Sequence, residues 1–337
     1  MARNLLACPQ FINLASGSNL QVGTNPTAEV QLADEFTLDG RVVTLVDTPG
    51  FDDALKSDVE ILQMIAAFLA TTYVKIGAWY SSIFYTELLR RYEKGSKLSG
   101  VIYVHRILDH RFGGVGGRNF DMLRKLCGDA AFKNVVLVTN MWSEVSPDIG
   151  EAREYELFSK FFKVAIHNGA RMVRHYNTIQ SAHDIVRRIV GKRPVVLQIQ
   201  RELVDEREDI VGTTAGQAIN QYLKEQIKRY QLELEEVREE MEQALQEMDE
   251  ETMQELEQEK RKLEQKMERI KMESERMVAD YATEKERMDV RVVGMEQDEA
   301  DRTRRLQANA SVVDQLGLEQ DQLSDRGDNG VVMIPIY

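Results

Sequence analysis

The chain of 337 residues contains little cysteine, proline or tryptophan: two, six and two residues, respectively. Cys8 and Cys127 are too few and too far apart for a disulfide framework or a zinc site, which indicates a reducing intracellular compartment. The five histidines show no metal-ligand spacing. The start of the chain also shows no basic-then-apolar signal peptide. We therefore expect a cytoplasmic protein that folds around an ordinary hydrophobic core.

Positive charge is scarce in the second part of the chain. Residues 1–200 carry 23 Lys and Arg against 20 Asp and Glu, whereas residues 201–337 carry 20 against 36. The net charge of -13 therefore comes from the second part. Such a surface repels phosphate backbones and anionic lipid, so no nucleic-acid partner is expected and a membrane partner is unlikely.

One apolar stretch is long enough to cross a bilayer, because Lys75 is the only charge between Ile61 and Thr86. Polar residues and a glycine interrupt it. We prefer a different explanation, in which a buried helix is followed by an insertion.

Strand and helix patterns alternate over residues 1–200. A hairpin is predicted from Phe36–Leu38 through a turn at Asp39-Gly40 into a β-branched run over 41–46. Helices are predicted at 58–73, 119–127, 151–168 and 181–190, and further apolar strands at 100–104 and 134–138. This alternation predicts an α/β domain with a mostly parallel sheet that is covered by helices.

The composition changes after Pro194. We assign 201–217 to a connector, 218–305 to an acidic coiled coil and 306–337 to a flexible tail. Apolar residues three and four apart form a seam that slips by one residue across a polar patch at 249–255. The coiled coil would mediate homo-oligomerisation or bind a protein partner. A single solvated helix that folds back on the domain is the alternative.

The most specific local signal is the strand that runs into Asp47-Thr48-Pro49-Gly50. In phosphate-binding hydrolases such an Asp lies near Mg²⁺, and the Gly amide reaches the γ-phosphate. Thr27, in a polar loop upstream, is a second candidate for contact with the metal and the γ-phosphate. A tight turn after any strand is the alternative interpretation of Pro-Gly. Thr139-Asn140, on the loop after another strand, is the candidate base-reading motif.

These segments resemble one family. Residues 11–260 are similar to the fungal G-domain proteins, P-loop GTPases related to septins and to the immunity-associated GTPases. The resemblance implies a P-loop NTPase fold, GTP or GDP with Mg²⁺, and slow hydrolysis, with Thr27 and Asp47 near the metal; it identifies no catalytic residue. It rests on the following segments: 11–17, 27–31, 46–53, 100–103, 138–142 and 200–205.

The chain departs from the family at its phosphate-binding loop. The pattern G-x-x-x-x-G-K-[ST] would fall on Ala2 to Pro9, where every demanded residue is missing, and Pro9 even lacks an N–H. The family's central strand would precede this loop, so we expect a truncated domain that lacks its first strand, unless another strand takes that position. The 19 residues 74–92 form a further departure, which we interpret as an insertion from a retained in-frame intron.

The chain also departs from the family in its base-reading motif. Trp142 stands where the family has the Asp that accepts from guanine, and a tryptophan has no acceptor atom. Asn177-Thr178 is a further candidate for contact with the base, with an ordinary helix cap as the alternative. Two functions are therefore open: a GTP-binding protein that assembles through its coiled coil, or a pseudo-GTPase scaffold that does not bind nucleotide.

Overall fold

A computed structural model describes residues 7–20, 29–51, 56–73, 98–109, 115–247, 249–315 and 330–335. Thr27 and the predicted insertion at 74–92 lie outside these ranges, as do most positions of the expected phosphate loop. The described residues form an α/β domain from which a long helical arm extends.

The sheet contains seven strands in the order β1-β3-β7-β4-β5-β6, and β2 pairs with β3 beside β1. β1 and β2 run antiparallel to β3, whereas β3, β7, β4, β5 and β6 are mutually parallel. The predicted parallel, helix-covered α/β class is thus confirmed. The strands are β1 (Gln31–Leu32), β2 (Phe36–Leu38), β3 (Arg41–Thr48), β4 (Leu98–Arg106), β5 (Val135–Asn140), β6 (Arg171–Arg174) and β7 (Gly330–Pro335).

The centre of the sheet is formed by the C-terminal strand β7. It pairs with β3 from Val43↔Gly330 to Thr48↔Pro335 and with β4 from Leu98↔Val331 to Val101↔Met333. Of the two alternatives that the sequence left open for the central position, the structure thus shows the one in which another strand takes it. Residues 330–335, which the sequence assigned to a flexible tail, form this strand. β3 and β4 are buried strands whose backbone N–H and C=O groups need partners, and β7 supplies them on both sides.

The predicted hairpin is confirmed. β2 and β3 pair from Leu38↔Arg41 to Phe36↔Val43 around the turn at Asp39-Gly40. Both turn residues have positive φ, 51° and 77°. Two consecutive left-handed residues make the type of turn whose twist matches that of paired strands, and Asp-Gly favours it.

Helices cover both faces of the sheet. α1 and α6 pack on one face, and α2, α3, α7 and the arm helices pack on the other. The prediction at 58–73 is confirmed without change, whereas α3 begins before 119 and the predicted 151–168 helix is interrupted by a π-helical turn at Leu157–Phe161. The helices are α1 (Ala7–Ser16), α2 (Asp58–Tyr73), α3 (Val115–Cys127), α4 (Pro147–Glu156), α5 (Lys163–His167), α6 (Ile179–Arg187), α7 (Gln198–Gln200), α8 (Thr214–Glu247) and α9 (Glu250–Gln315).

The apolar character of α2 follows from burial on opposite sides. Twelve of its sixteen residues are buried, because it lies between the sheet and α9. A helix that is apolar all round is expected in such a position. Among the helices that the structure describes, none is both long and apolar enough to cross a membrane.

The arm is a hairpin of two helices within one chain. α8 leads away from the domain, and α9 returns beside it. The polar patch at 249–255, where the predicted seam slips, contains the start of α9. Asp249 caps this helix, because its carboxylate accepts a hydrogen bond from the Thr252 amide at 3.1 Å. The seam residues meet across the hairpin: Leu234, Val237, Ala244, Leu256 and Leu263.

The returning helix α9 also packs on the domain. Met277 is fully buried in the main core, and its carbonyl accepts a hydrogen bond of 2.8 Å from the Gln63 side chain of α2. Thr71 of α2 donates to Asp289 at 2.6 Å. The two helices thus pair with each other within one chain, and α9 also packs on the domain.

Candidate functional site at the carboxyl edge of the sheet

The predicted site residues lie at one edge of the sheet. Because β3, β4, β5 and β6 are parallel, their last residues Thr48, Arg106, Asn140 and Arg174 share this edge. In open α/β sheets, ligands bind outside the carboxyl ends of the strands. The structure therefore places the Asp47–Gly50 and Thr139–Asn140 candidates on the same edge.

The Asp47-Thr48-Pro49-Gly50 segment is buried. Asp47 and Thr48 are the last residues of β3, each with no exposed surface, and they lie opposite Ile334 and Pro335 of β7. Pro49 and Gly50 are also buried. The motif thus begins inside the sheet, next to the central strand.

Arg118 of α3 connects this segment to the helical arm. Its guanidinium donates to the Phe51 carbonyl at 3.2 Å and forms an ion pair of 3.4 Å with Asp58 at the start of α2. The same group lies 4.4 Å from the centre of the Tyr222 ring on α8. One cation therefore contacts the residue after the motif, α2 and the arm. Sequence reasoning missed Arg118, because no local pattern distinguishes it from a solvated arginine.

Trp142 is folded back on the candidate base-reading motif. Its indole N–H is shared between the Thr139 carbonyl and the Thr139 hydroxyl, each at 3.1 Å. The Arg174 guanidinium stacks on the ring at 4.1 Å and is itself held by Glu154. A Cβ on Gly150 would lie 2.8 Å from the ring, so the glycine permits this close packing. The Trp142 ring is thus fixed by packing on its own domain.

Two buried polar atoms of the edge have no hydrogen-bond partner in the described part of the chain. They are Oδ1 of Asn140 and Nε2 of His175, the residue that follows β6. The other ring nitrogen, Nδ1, lies 2.9 Å from the Ser181 hydroxyl, and Phe11 contacts the ring edge-on at 5.1 Å. Burial lowers the pKa of His175 to about 4, so the ring is neutral at pH 7.

Thr178 has a structural role. Its hydroxyl accepts from the Ser181 amide at 3.2 Å, and Ser181 completes a capping box at the start of α6. Asn177 has a positive φ of 55°, which reverses the chain before the helix. The helix-cap interpretation of Asn177-Thr178 is therefore confirmed for Thr178.

The described residues do not fit a Mg²⁺–triphosphate group. Ala7 to Pro9, the last positions of the expected phosphate loop, are the first turn of α1, and they offer no lysine and no hydroxyl. In the described ranges no strand leads into α1, because the central strand β7 follows α9 instead. Nor do these ranges contain a group of three His, Cys, Asp or Glu side chains placed to hold a metal ion. Asp47 is present, but a single carboxylate does not make such a site.

Comparison with models of known protein families found no match. Comparison with curated proteins found no significant similarity. The resemblance to G-domain proteins stays a prediction that rests on the motifs of this chain.

Proposed function

We propose that this chain is a GTPase-type domain that serves as a scaffold, and that its working surface is the acidic helical arm. Of the two functions that the sequence leaves open, the poor fit of the described carboxyl-edge residues to a Mg²⁺–triphosphate group favours this one. The observation that carries the proposal is the projection of a strongly charged helix pair beyond the domain core.

The arm extends well past its contacts with the domain. On α8 the last residue of the main core is Leu223, and on α9 the contacts resume at Ile270. The stretch of α8 from Leu223 to Glu247 corresponds to about 36 Å of helix. Between these points, in the described part of the chain, the two helices pack on each other through their own apolar cluster.

The distal part of the arm is almost free of positive charge. Residues 233–259 contain 13 Asp and Glu and a single basic residue, Arg238. Two leucines, Leu232 and Leu245, are 60% and 67% exposed on α8 beside this surface. Interfaces combine apolar anchors with a polar rim, and charge of one sign steers the approach of the opposite sign. The arm therefore fits a protein partner with a basic surface.

Neutralising charges on the arm tests whether its acidic surface binds a basic partner. The triple variant Glu239→Gln, Glu240→Gln, Glu242→Gln should lose affinity for a lysine-rich peptide by at least about tenfold at low ionic strength, because several contacts are removed. The matched control neutralises three exposed carboxylates of the domain: Glu144→Gln, Asp148→Asn, Glu208→Gln. An equal loss in both variants would show that only net charge matters, and this would contradict the proposal.

A second candidate function is GTP binding at the carboxyl edge. It is supported by Oδ1 of Asn140, which has no partner among the described residues and lies in the candidate base-reading motif. Calorimetric titration of the full chain with GTP or GDP in the presence of Mg²⁺ separates the two functions. The scaffold proposal expects no binding that depends on Asn140 up to about 1 mM, which is the weak end of specific affinities. Tighter binding that Asn140→Ala abolishes, in a variant with an unchanged circular dichroism spectrum, would favour GTP binding.

A further inference from the structure

A cleft at the opposite, amino edge of the sheet concentrates positive charge. It has a volume of about 390 Å³ and lies where β5 and β6 begin. Its residues come from the 3-10 helix Asp129–Asn134 before β5, from the turn before β6 and its first residue, and from the segment after α6. They are Lys133, Asn134, Gly169, Arg171, Lys192 and Arg193.

No carboxylate of the described residues lines this cleft. Its four cations form no ion pair among the residues that the structure describes, although several other arginines of the domain do. Burial, together with the nearby Arg171 charge, lowers the pKa of Lys192. Like charges gathered without a counter-ion repel one another, so a bound anion would stabilise the cleft.

The backbone around the cleft is fixed by side-chain hydrogen bonds. The Asn134 amide donates to the carbonyls of Ser99 at 2.7 Å and Arg193 at 2.9 Å, which ties the start of β4 to the segment after α6. The Lys192 ammonium donates to the Lys133 carbonyl. These hydrogen bonds hold together the segments that carry Lys133, Lys192 and Arg193, which lowers the cost of ordering them around a ligand.

We propose that this cleft binds a small anion that carries two or more phosphate groups. Guanidinium groups match phosphate oxygens in pairs, and lysine ammonium groups add point charges. The volume lies in the range of small-ligand sites. The described lining residues include no aromatic side chain that could stack on a base, so the proposed recognition is of the phosphates. Because the cleft lies at the other edge of the sheet, the proposal does not depend on the scaffold function.

Calorimetric titration of the full chain with inorganic pyrophosphate, with orthophosphate for comparison, tests the proposal. We expect pyrophosphate to bind more tightly than orthophosphate, with an affinity that falls as ionic strength rises. The double variant Arg171→Gln, Lys192→Gln should weaken pyrophosphate binding by at least about tenfold, because two charge-assisted contacts are lost. The matched control is Lys224→Gln, Lys228→Gln, which removes the same charge from exposed positions of α8 and should bind as the unmodified chain does.

Four outcomes would overturn the proposal. The first is the absence of saturable pyrophosphate binding, and the second is an equal loss of affinity in the control variant. The third is loss of pyrophosphate binding in Asn140→Ala together with its retention in the double variant Arg171→Gln, Lys192→Gln, because this result would place the anion at the carboxyl edge. A salt-sensitive self-association that the cleft variant abolishes, without pyrophosphate binding, would identify the acidic arm of a second copy as the occupant and would also overturn it.

Discussion

Two contacts between a guanidinium and an aromatic ring connect the elements at the carboxyl edge of the sheet. Arg174 stacks on Trp142 beside the candidate base-reading motif, and Arg118 lies over Tyr222 behind the Asp47–Gly50 segment. Such pairs stabilise a structure most where they are shielded from water. Both arginines also bind carboxylates, so each holds several elements together. At this edge, the two arginines are thus engaged within the domain.

Replacing Trp142 with Asp restores the residue type that the family uses for guanine, yet we expect no gain in GTP affinity. The substitution removes the stacking on Arg174 and both indole hydrogen bonds to Thr139. Loss of a half-buried tryptophan should lower the free energy of unfolding by about 2–3 kcal/mol, measured by urea denaturation. Trp142→Phe keeps most of the packing and should cost about 1 kcal/mol. Equal stability of Trp142→Asp and the unmodified chain would show that the ring contacts contribute little.

His175 should make stability depend on pH in the acidic range. Its pKa is about 4 in the folded chain and about 6.5 when unfolded, so the unfolded state binds more protons between these values. The stability contributed by the neutral ring is complete above pH 6.5 and is lost as the pH falls toward 4. At pH 5 the loss amounts to about 2 kcal/mol.

Urea denaturation at pH 5 and pH 7 measures this contribution. His175→Gln should reduce the difference in unfolding free energy between the two pH values, whatever its effect on absolute stability. His167→Gln, at an exposed histidine near the end of α5, is the control and should leave the difference unchanged. If the His175→Gln variant kept the full difference in unfolding free energy between pH 5 and pH 7, that difference would come from other groups.

The elements that the sequence predicted well are those with a strong local signal. The Asp39-Gly40 turn and the glycine after α3, with a φ of 72°, follow from backbone sterics that act within a few residues. The short apolar run of β7 is typical of a buried strand. Its position in the sheet could not be predicted, because its partner strands lie about 230 to 290 residues earlier in the chain. From the sequence, the turn between α8 and α9 is interpreted as a slip in a continuous seam, because a turn and a slip both shift the spacing of the apolar residues.

The position of the site could be predicted, but its contacts could not. Asp47 and Thr139-Asn140 each lie at the end of an apolar run that the sequence identifies as a strand, and parallel strands share their carboxyl edge. The orientation of Trp142 depends on Arg174 and Gly150, which belong to other elements. Contacts of this kind leave no periodic pattern, so the sequence did not reveal that the motif is covered by its own tryptophan.

The contact between α9 and α2 should depend strongly on one methionine. Met277 is fully buried in the main core, whereas Met272 on the same helix is 40% exposed. Met277→Ala should therefore lower the free energy of unfolding by about 2–4 kcal/mol, because it leaves a cavity between the arm and the domain. Met272→Ala should change it by less than about 0.5 kcal/mol. Thermal or urea unfolding compares the two, and similar effects would mean that α9 does not pack on α2 through this face.

At the scale of the whole molecule, distant parts of the chain complete one sheet. β7 lies between the β1-β2-β3 group and the β4-β5-β6 group and pairs with both. The long arm lies between β7 and the rest of the domain in the sequence, and α9 brings the chain back across α2. Arm and domain are therefore expected to fold cooperatively, since the sheet is continuous only when the segment after the arm has joined it.

A proline in β7 tests this dependence through the backbone alone. Val332 is paired with Leu45 on one side and with Gly100 on the other. Val332→Pro removes an N–H and a compatible φ from a central strand, so we expect a loss of about 3 kcal/mol or more and simultaneous loss of sheet and arm in circular dichroism and hydrogen exchange. Glu250→Pro is the control, because it places proline at the first position of α9, where proline is tolerated. If Val332→Pro unfolded no more readily than the control, β7 would not be the strand that joins the two groups.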